Sequence, residues 1–274
     1  FVRKIDDLIG TDKEMKLTDG GKFLRSVRFL TKEDGCGFSM SDVLIKGGWS
    51  IDLHYKNHME VNFIAGGQVT IQDLTLNKSW TLGPGMLYVV GPKDRHRLST
   101  EGDAHIISIF NPATKGTERH DADGAFEATG EIPPAWKGES GRTMFVMREE
   151  DAVKVILRAG GSLASRYLNR DDGCGLTISL PRGSAGSESI LWYKHHVEAN
   201  YILEGEATVE DLTTGEKWEL GPGSLYVVGP KDRHRFTKKT DLYHMSVFNP
   251  PLKGDETHDA DGSYPPGGEI PPAW

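Results

Sequence analysis

Cysteine is nearly missing: the 274 residues contain two, Cys36 and Cys174. That excludes a disulfide-stapled secreted scaffold and leaves two reduced, buried thiols as the expected state. Positive charge is also in deficit, with 32 Lys and Arg against 40 Asp and Glu and a net charge of −8. A nucleic-acid groove or an anionic membrane surface needs concentrated Lys and Arg, so the expected partner is a small molecule, with no nucleic acid and no membrane. No apolar run approaches the roughly 20 residues that cross a bilayer, and the opening FVRKIDDLIG has no signal-peptide core. These absences lead to the expectation of a soluble, cytoplasmic protein.

What the chain does have is itself, twice. LGPGMLYVVGPKDRHR at 82–97 returns as LGPGSLYVVGPKDRHR at 220–235, an offset of 138. The same offset relates KEDGCGFS to RDDGCGLT, YKNHMEVNFI to YKHHVEANYI, and both copies of HDADG and of GEIPPAW. A period this long is a duplicated domain rather than a solenoid repeat. The expected division is 1–136 and 137–274, with the Pro- and Gly-bearing stretch over 127–148 as the connection.

Within each half, short runs rich in Val, Ile, Leu and aromatics, such as VNFIAGGQVTIQDL and ANYILEGEATVEDL, are punctuated by Gly, Pro, Asn and Asp. That pattern predicts an all-β sandwich or barrel. Only VRKIDDLIG and MREEDAVKVILRAG suggest short helices. LGPG predicts a tight turn in which the second Gly takes the positive φ, followed by a strand over LYVV.

Side chains from strands distant in sequence meet in the mouth of a small barrel. Glu60, Tyr88 and His96 could converge there, and the second copy repeats them at the same spacing as Glu198, Tyr226 and His234. A His before Arg is more often packed than ligating, and a Tyr on a strand is usually core. Duplication preserves structural residues as readily as functional ones.

The motifs VRKIDDLIGTDKE, DGCGFS, YKNHMEVNFI, GPGMLYVVGPKDRHRL, IFNP and TERHDADG resemble, in order and spacing, those of ectoine synthases. The second half matches from DDGCGLT to THDADGSYP. The resemblance implies two cupin-type, jelly-roll-like β-barrels in tandem, related by pseudo-twofold symmetry. It also implies a covalent pseudo-dimer, open to further homo-oligomerisation. It further implies a divalent metal, iron(II) first with zinc(II) or manganese(II) as alternatives, held by Glu60, Tyr88 and His96 and again by Glu198, Tyr226 and His234. Substrate contacts carried over are Arg28, Tyr55 and Phe110 in the first half and Arg166, Tyr193 and Phe248 in the second. Glu118, His120, Glu256 and His258 are the implied proton carriers, with hydrogen-bonded lid residues as the competing reading.

The implied activity is a metal-dependent hydro-lyase that cyclises an acyclic N-acetyl diamino acid with loss of water. Alternatives are another cupin lyase acting on a zwitterionic osmolyte such as dimethylsulfoniopropionate, and a non-catalytic metabolite-binding cupin. The chain departs from the family where Leu24 and Ser162 replace a pocket aromatic, and where Val43 and Pro181 replace a substrate-contacting Thr. Trp192 against His54, and ILEGE against IAGG, suggest pocket or rim divergence between the halves. These differences lead to the expectation that the second site carries most of the turnover.

Overall fold

The computed structural model describes residues 1–157 and 161–274. Strands run through both halves. The first set is β1 (Val2–Lys4), β2 (Glu14–Asp19), β3 (Lys22–Leu30), β4 (Ser39–Lys46), β5 (Trp49–Leu53), β6 (Met59–Gly67), β7 (Val69–Asp73), β8 (Lys78–Leu82), β9 (Leu87–Val90), β10 (His96–Thr100), β11 (Ala104–Asn111) and β12 (Phe145–Met147). The second set is β13 (Val153–Ile156), β14 (Leu163–Leu168), β15 (Thr177–Gly183), β16 (Glu188–Leu191), β17 (Val197–Glu204), β18 (Ala207–Asp211), β19 (Lys217–Leu220), β20 (Ser224–Val228), β21 (His234–Lys238) and β22 (Leu242–Asn249).

Each unit is a barrel of two antiparallel sheets. In the first, seven strands lie in the order β12-β9-β6-β11-β4-β3-β2 against four in the order β5-β10-β7-β8. The second repeats this as β1-β20-β17-β22-β15-β14-β13 with β16-β21-β18-β19. β7 alternates buried and half-buried residues, as a strand with one inward face does. β9 and β20 are buried along their whole length, because the barrel interior covers one face and flanking chain the other. Ile45, Ile64, Val69, Ile71 and Leu82 are fully buried in the first core, and each such side chain contributes about 1.5–3 kcal/mol relative to exposure.

The expected division at 136/137 is not where the compact units part. One unit is Leu8–Glu149, and the other joins Phe1–Asp7 to Glu150–Trp274. β1 pairs with β20, placing Val2 opposite Tyr226, and β12 pairs with β9, placing Val146 opposite Tyr88. FVRK at 1–4 and FVMR at 145–148 therefore do the same work, each closing a strand edge that would otherwise present unpaired amides. Because these two openings lie 144 apart rather than 138, the fixed offset hides their equivalence.

The region read as a plain connection is partly structured. A 3-10 turn at Pro134–Trp136 buries Trp136 completely. A Cβ at Gly91 would lie 2.9 Å from Trp136 Cζ3, so only glycine permits the indole to lie on the backbone there; Gly229 and Trp274 repeat the arrangement. The first expected helix is a single turn, Ile5–Leu8. The second is a 3-10 turn at Glu149–Asp151 that gives way to β13, and its last residues, 158–160, lie outside the described residues. Val153 and Val155 share one face of β13, which gains its hydrogen bonds from β14, so sheet pairing overrides local propensity. The LGPG turns do take positive φ at Gly85 (84°) and Gly223 (78°). Cys36 and Cys174 are buried free thiols.

Candidate functional site

The interior of the first barrel opens into a cavity of about 820 Å³, including the part exposed to solvent. Arg28, Tyr55, Glu60, Tyr88, Phe110, Glu118 and His120 all line it. β6, β9 and β11 place three of them on one rung-like patch: Glu60 pairs with Phe110 and with Val90, and Asn62 with Tyr88 and Ser108. Ser108 Oγ donates to Asn62 Oδ1 across this sheet, fixing the amide beside the Tyr88 hydroxyl. The second barrel has the same grid through Glu198, Asn200, Tyr226, Ser246 and Phe248, with Ser246 Oγ donating to Asn200 Oδ1 at 2.5 Å. The asparagines were legible as the shared E-x-N of EVN and EAN, but only sheet register gives them a role.

His96 and His234 do not line the main cavities. The His96 ring sits behind those of Tyr55 and Tyr88, at centroid separations of 6.2 and 6.4 Å. His234 lies 6.2 and 6.0 Å from Tyr193 and Tyr226 and opens, with Tyr226, on a smaller recess. Nδ1 of each contacts the main-chain oxygen two residues before it, at 3.0 Å. That bond fixes the proton on Nδ1 and leaves Nε2 as a lone-pair donor.

The donor set suits a metal ion on one observation in particular. Glu60 Oε2, His96 Nε2, Glu198 Oε2 and His234 Nε2 are all buried without hydrogen-bond partners. Burial pushes the carboxyls of Glu60 and Glu198 up to about 8, so their anionic form calls for a cation nearby. The adjacent tyrosines supply a third donor, an oxygen, in each barrel. Among the described residues no three His, Cys, Asp or Glu side chains cluster as a metal cage, so any ion held by the Glu and His would need the phenolic oxygen as well.

Tyr55 Oη lies 2.9 Å from His120 Nε2, and Tyr193 Oη lies 3.0 Å from His258 Nε2. Both imidazoles stack on an aromatic ring, Phe126 at 4.5 Å and Tyr264 at 4.4 Å. Burial depresses both, His258 to about 4. Each dyad is therefore a neutral phenol–imidazole pair able to pass a proton.

Glu118 and Glu256 are more firmly committed. Glu118 accepts from the amides of Lys115 and Gly116, and Glu256 from those of Lys253 and Gly254 at 2.5 and 2.8 Å. Both carboxylate oxygens of each thus hold a loop. Burial would raise Glu256, but those amides and Arg166 outweigh it and hold it below the usual range.

The two barrels differ where the carried-over contacts meet local packing. Arg28 faces its cavity, whereas Arg166 is 1% exposed and its guanidinium is spent on Gly254 O (2.7 Å), Glu256 O (2.7 Å) and the Glu256 carboxylate (3.4 Å). Arg166, Glu256 and His234 are absent from the walls of the second cavity, which measures about 440 Å³ and keeps Tyr193, Glu198, Tyr226, Phe248 and His258. Leu24 and Val43 line the first cavity, Ser162 and Pro181 the second. His54 and Trp192, read as a rim divergence, make the same bond: His54 Nε2 contacts Pro92 O at 2.9 Å and Trp192 Nε1 donates to Pro230 O at 2.8 Å. Neither lines the two main cavities, so this exchange preserves a strut.

Four buried histidines outside the metal-donor sets have an acid consequence. Burial lowers His58, His196 and His258 to about 4 and His244 to about 3. The unfolded chain takes up these protons near 6.5, before the folded one does. Their stabilisation is complete above about pH 6.5 and is lost as pH falls toward 4, on the order of a few kcal/mol for each. A melting temperature that stays level between about pH 7 and 4.5 would contradict this.

The model of the ectoine synthase family matches residues 1–130 and again 144–267. L-Ectoine synthase of Oceanobacillus iheyensis is 45% identical over 100 residues, which are 36% of this chain and 78% of that protein. The enzymes of Sphingopyxis alaskensis (41% identity; 42% and 83% covered) and Halalkalibacterium halodurans (36%; 44% and 96%) are similar over the same kind of span. One relative thus corresponds to one half of this chain. In fold the whole chain is similar to the cupin oxalate decarboxylase of Lactobacillus farciminis, at a TM-score of 0.64 and 14% identity, over 93% of this chain and 88% of that one. Protein Ylba of E. coli gives 0.63 at 12%, with 90% and 89% covered.

Proposed function

The chain belongs to the ectoine synthase family, and on that premise we propose that it is a hydro-lyase closing an N-acetyl diamino acid of the Nγ-acetyl-diaminobutyrate type into a cyclic amidine. The free amine attacks the acetamide carbonyl carbon, a C–N bond forms, and the carbonyl oxygen departs as water after gaining two protons. The observation that carries the reading is the enclosed set of a Tyr–His dyad, a Glu, a second Tyr and a Phe that recurs in both barrels.

Glu60, Tyr88 and His96, and Glu198, Tyr226 and His234, would hold a divalent ion, iron(II) by preference. Bound there, such an ion acts as a Lewis acid on a carbonyl oxygen. The remaining work falls to the chain. Phe110 and Phe248 exclude water and fold the substrate so that its two ends meet, which converts lost rotational freedom into prior organisation. Tyr55 with His120, and Tyr193 with His258, take the amine proton and return it toward the departing hydroxyl. Glu118 and Glu256 hold the loops that carry these histidines.

The test is product analysis after incubating iron(II)-reconstituted chain with a panel of acyclic N-acetyl diamino acids and sulfonium osmolytes. Ring-closed product from the former is expected. Turnover confined to the sulfonium compounds would replace the hydro-lyase reading with a different cupin lyase, and no turnover with either would leave a binding protein.

A further inference from the structure

The second cavity contains a cation with no carboxylate partner among the described residues. Lys238, at the end of β21, is 2% exposed and lines the cavity. Its stem lies so close to Gly183 that a Cβ there would collide with Lys238 Cδ. Among the described residues no carboxylate lies within ion-pair distance of its ammonium, which sits over the Phe236 ring at 5.3 Å from its centre, a weak cation–π contact that does not neutralise the charge. Burial alone lowers this amine from its ordinary value, with no offsetting carboxylate. His244, 5% exposed, lines the same cavity with its Nδ1 buried and unpartnered. Ser162, Ser179 and Ser189 add hydroxyls to these walls. At the offset of 138, Thr100, Ile106, Leu24 and Ile51 stand where the second half has Lys238, His244, Ser162 and Ser189. Of these, Leu24, Ile51 and Ile106 line the first cavity and make it apolar there, while Thr100 is not part of its wall.

An isolated buried ammonium is costly unless paired, and Arg166 in this barrel is already occupied by its own loop. We propose that Lys238, His244 and the surrounding serines form a carboxylate-binding pocket that makes the second barrel selective for an amino-acid carboxylate. The ammonium pairs with the carboxylate, and His244 donates a hydrogen bond to it. A ligand held there presents its other end to Tyr193, Glu198 and Tyr226 on the same cavity wall. The first barrel, lacking these groups, favours a ligand with an apolar portion in the same place. The inference rests on the hydro-lyase reading for the ligand chosen as probe, while the pocket itself rests on the unpaired charge.

The test is calorimetric titration of the full chain with Nγ-acetyl-diaminobutyrate and with its primary carboxamide, in wild type and Lys238→Met. Binding of the acid at one of the two sites should weaken by about thirtyfold or more, the usual effect of truncating one partner of a buried charge pair. The other site, and the carboxamide, should be unaffected. Equal losses for acid and amide, or no loss, would overturn the pairing, as would failure of the wild type to prefer the acid. Displacement of the acid by sulfate at similar concentrations would overturn the carboxylate assignment in favour of a general oxyanion pocket. Lys238→Met should also raise the melting temperature of ligand-free protein, because it removes an unpaired buried charge; a fall would contradict the inference. Binding is read without turnover, so carboxylate-dependent binding without ring closure removes only the hydro-lyase reading.

Discussion

Glu198→Gln should abolish most ring-closing activity, lowering it by about a hundredfold or more, while Glu60→Gln should leave the larger part. Even partners that only orient metal ligands are worth 10–100-fold, and an amide in place of a ligating carboxylate removes the charge itself. Two observations favour the second barrel as the main site. Its strand after the Glu keeps ILEGE, and its cavity offers Lys238 to a substrate carboxylate. Burial already holds the free carboxyls near 8, so glutamine imitates the protonated side chain and both variants should fold. Initial rates with iron(II)-loaded variants decide the matter: equal partial losses would establish two working barrels.

The largest effect on stability is expected from Trp136→Ala, about 3–5 kcal/mol, the range for deleting a fully buried large aromatic. The indole is fully buried, lies on Gly91 and stacks on Phe145 with centroids 6.1 Å apart. It therefore clamps β12 against β9, whose Tyr88 belongs to the candidate site. Denaturant unfolding should show the loss, accompanied by weaker metal retention in the first barrel. Trp274→Ala should cost less, because that residue is half-buried and its contact with Phe1 is tilted at 6.2 Å. Comparable losses in the two variants would show that the clamp's burial does not set its worth.

The sequence by itself determined the duplication, the all-β class and the LGPG turns. An offset of 138 is visible without coordinates, a strand alternates with period two wherever one face is buried, and a tight turn needs a residue that tolerates positive φ. It also paired the residues that matter, since Glu60, Tyr88 and His120 keep their spacing in Glu198, Tyr226 and His258. Tertiary structure alone decided the rest. Edge pairing assigned residues 1–7 to the second unit and β12 to the first, because a strand's partner is chosen by long-range hydrogen bonding that leaves no local periodicity. Pairing with β14 turned a helical-looking stretch over 153–156 into a strand for the same reason. Packing set Arg28 facing a cavity and bound Arg166 to its loop, although the two occupy equivalent positions. Lys238 and His244 read in sequence as ordinary residues near a turn; only burial without a counter-charge makes them a site, and burial is a property of the fold.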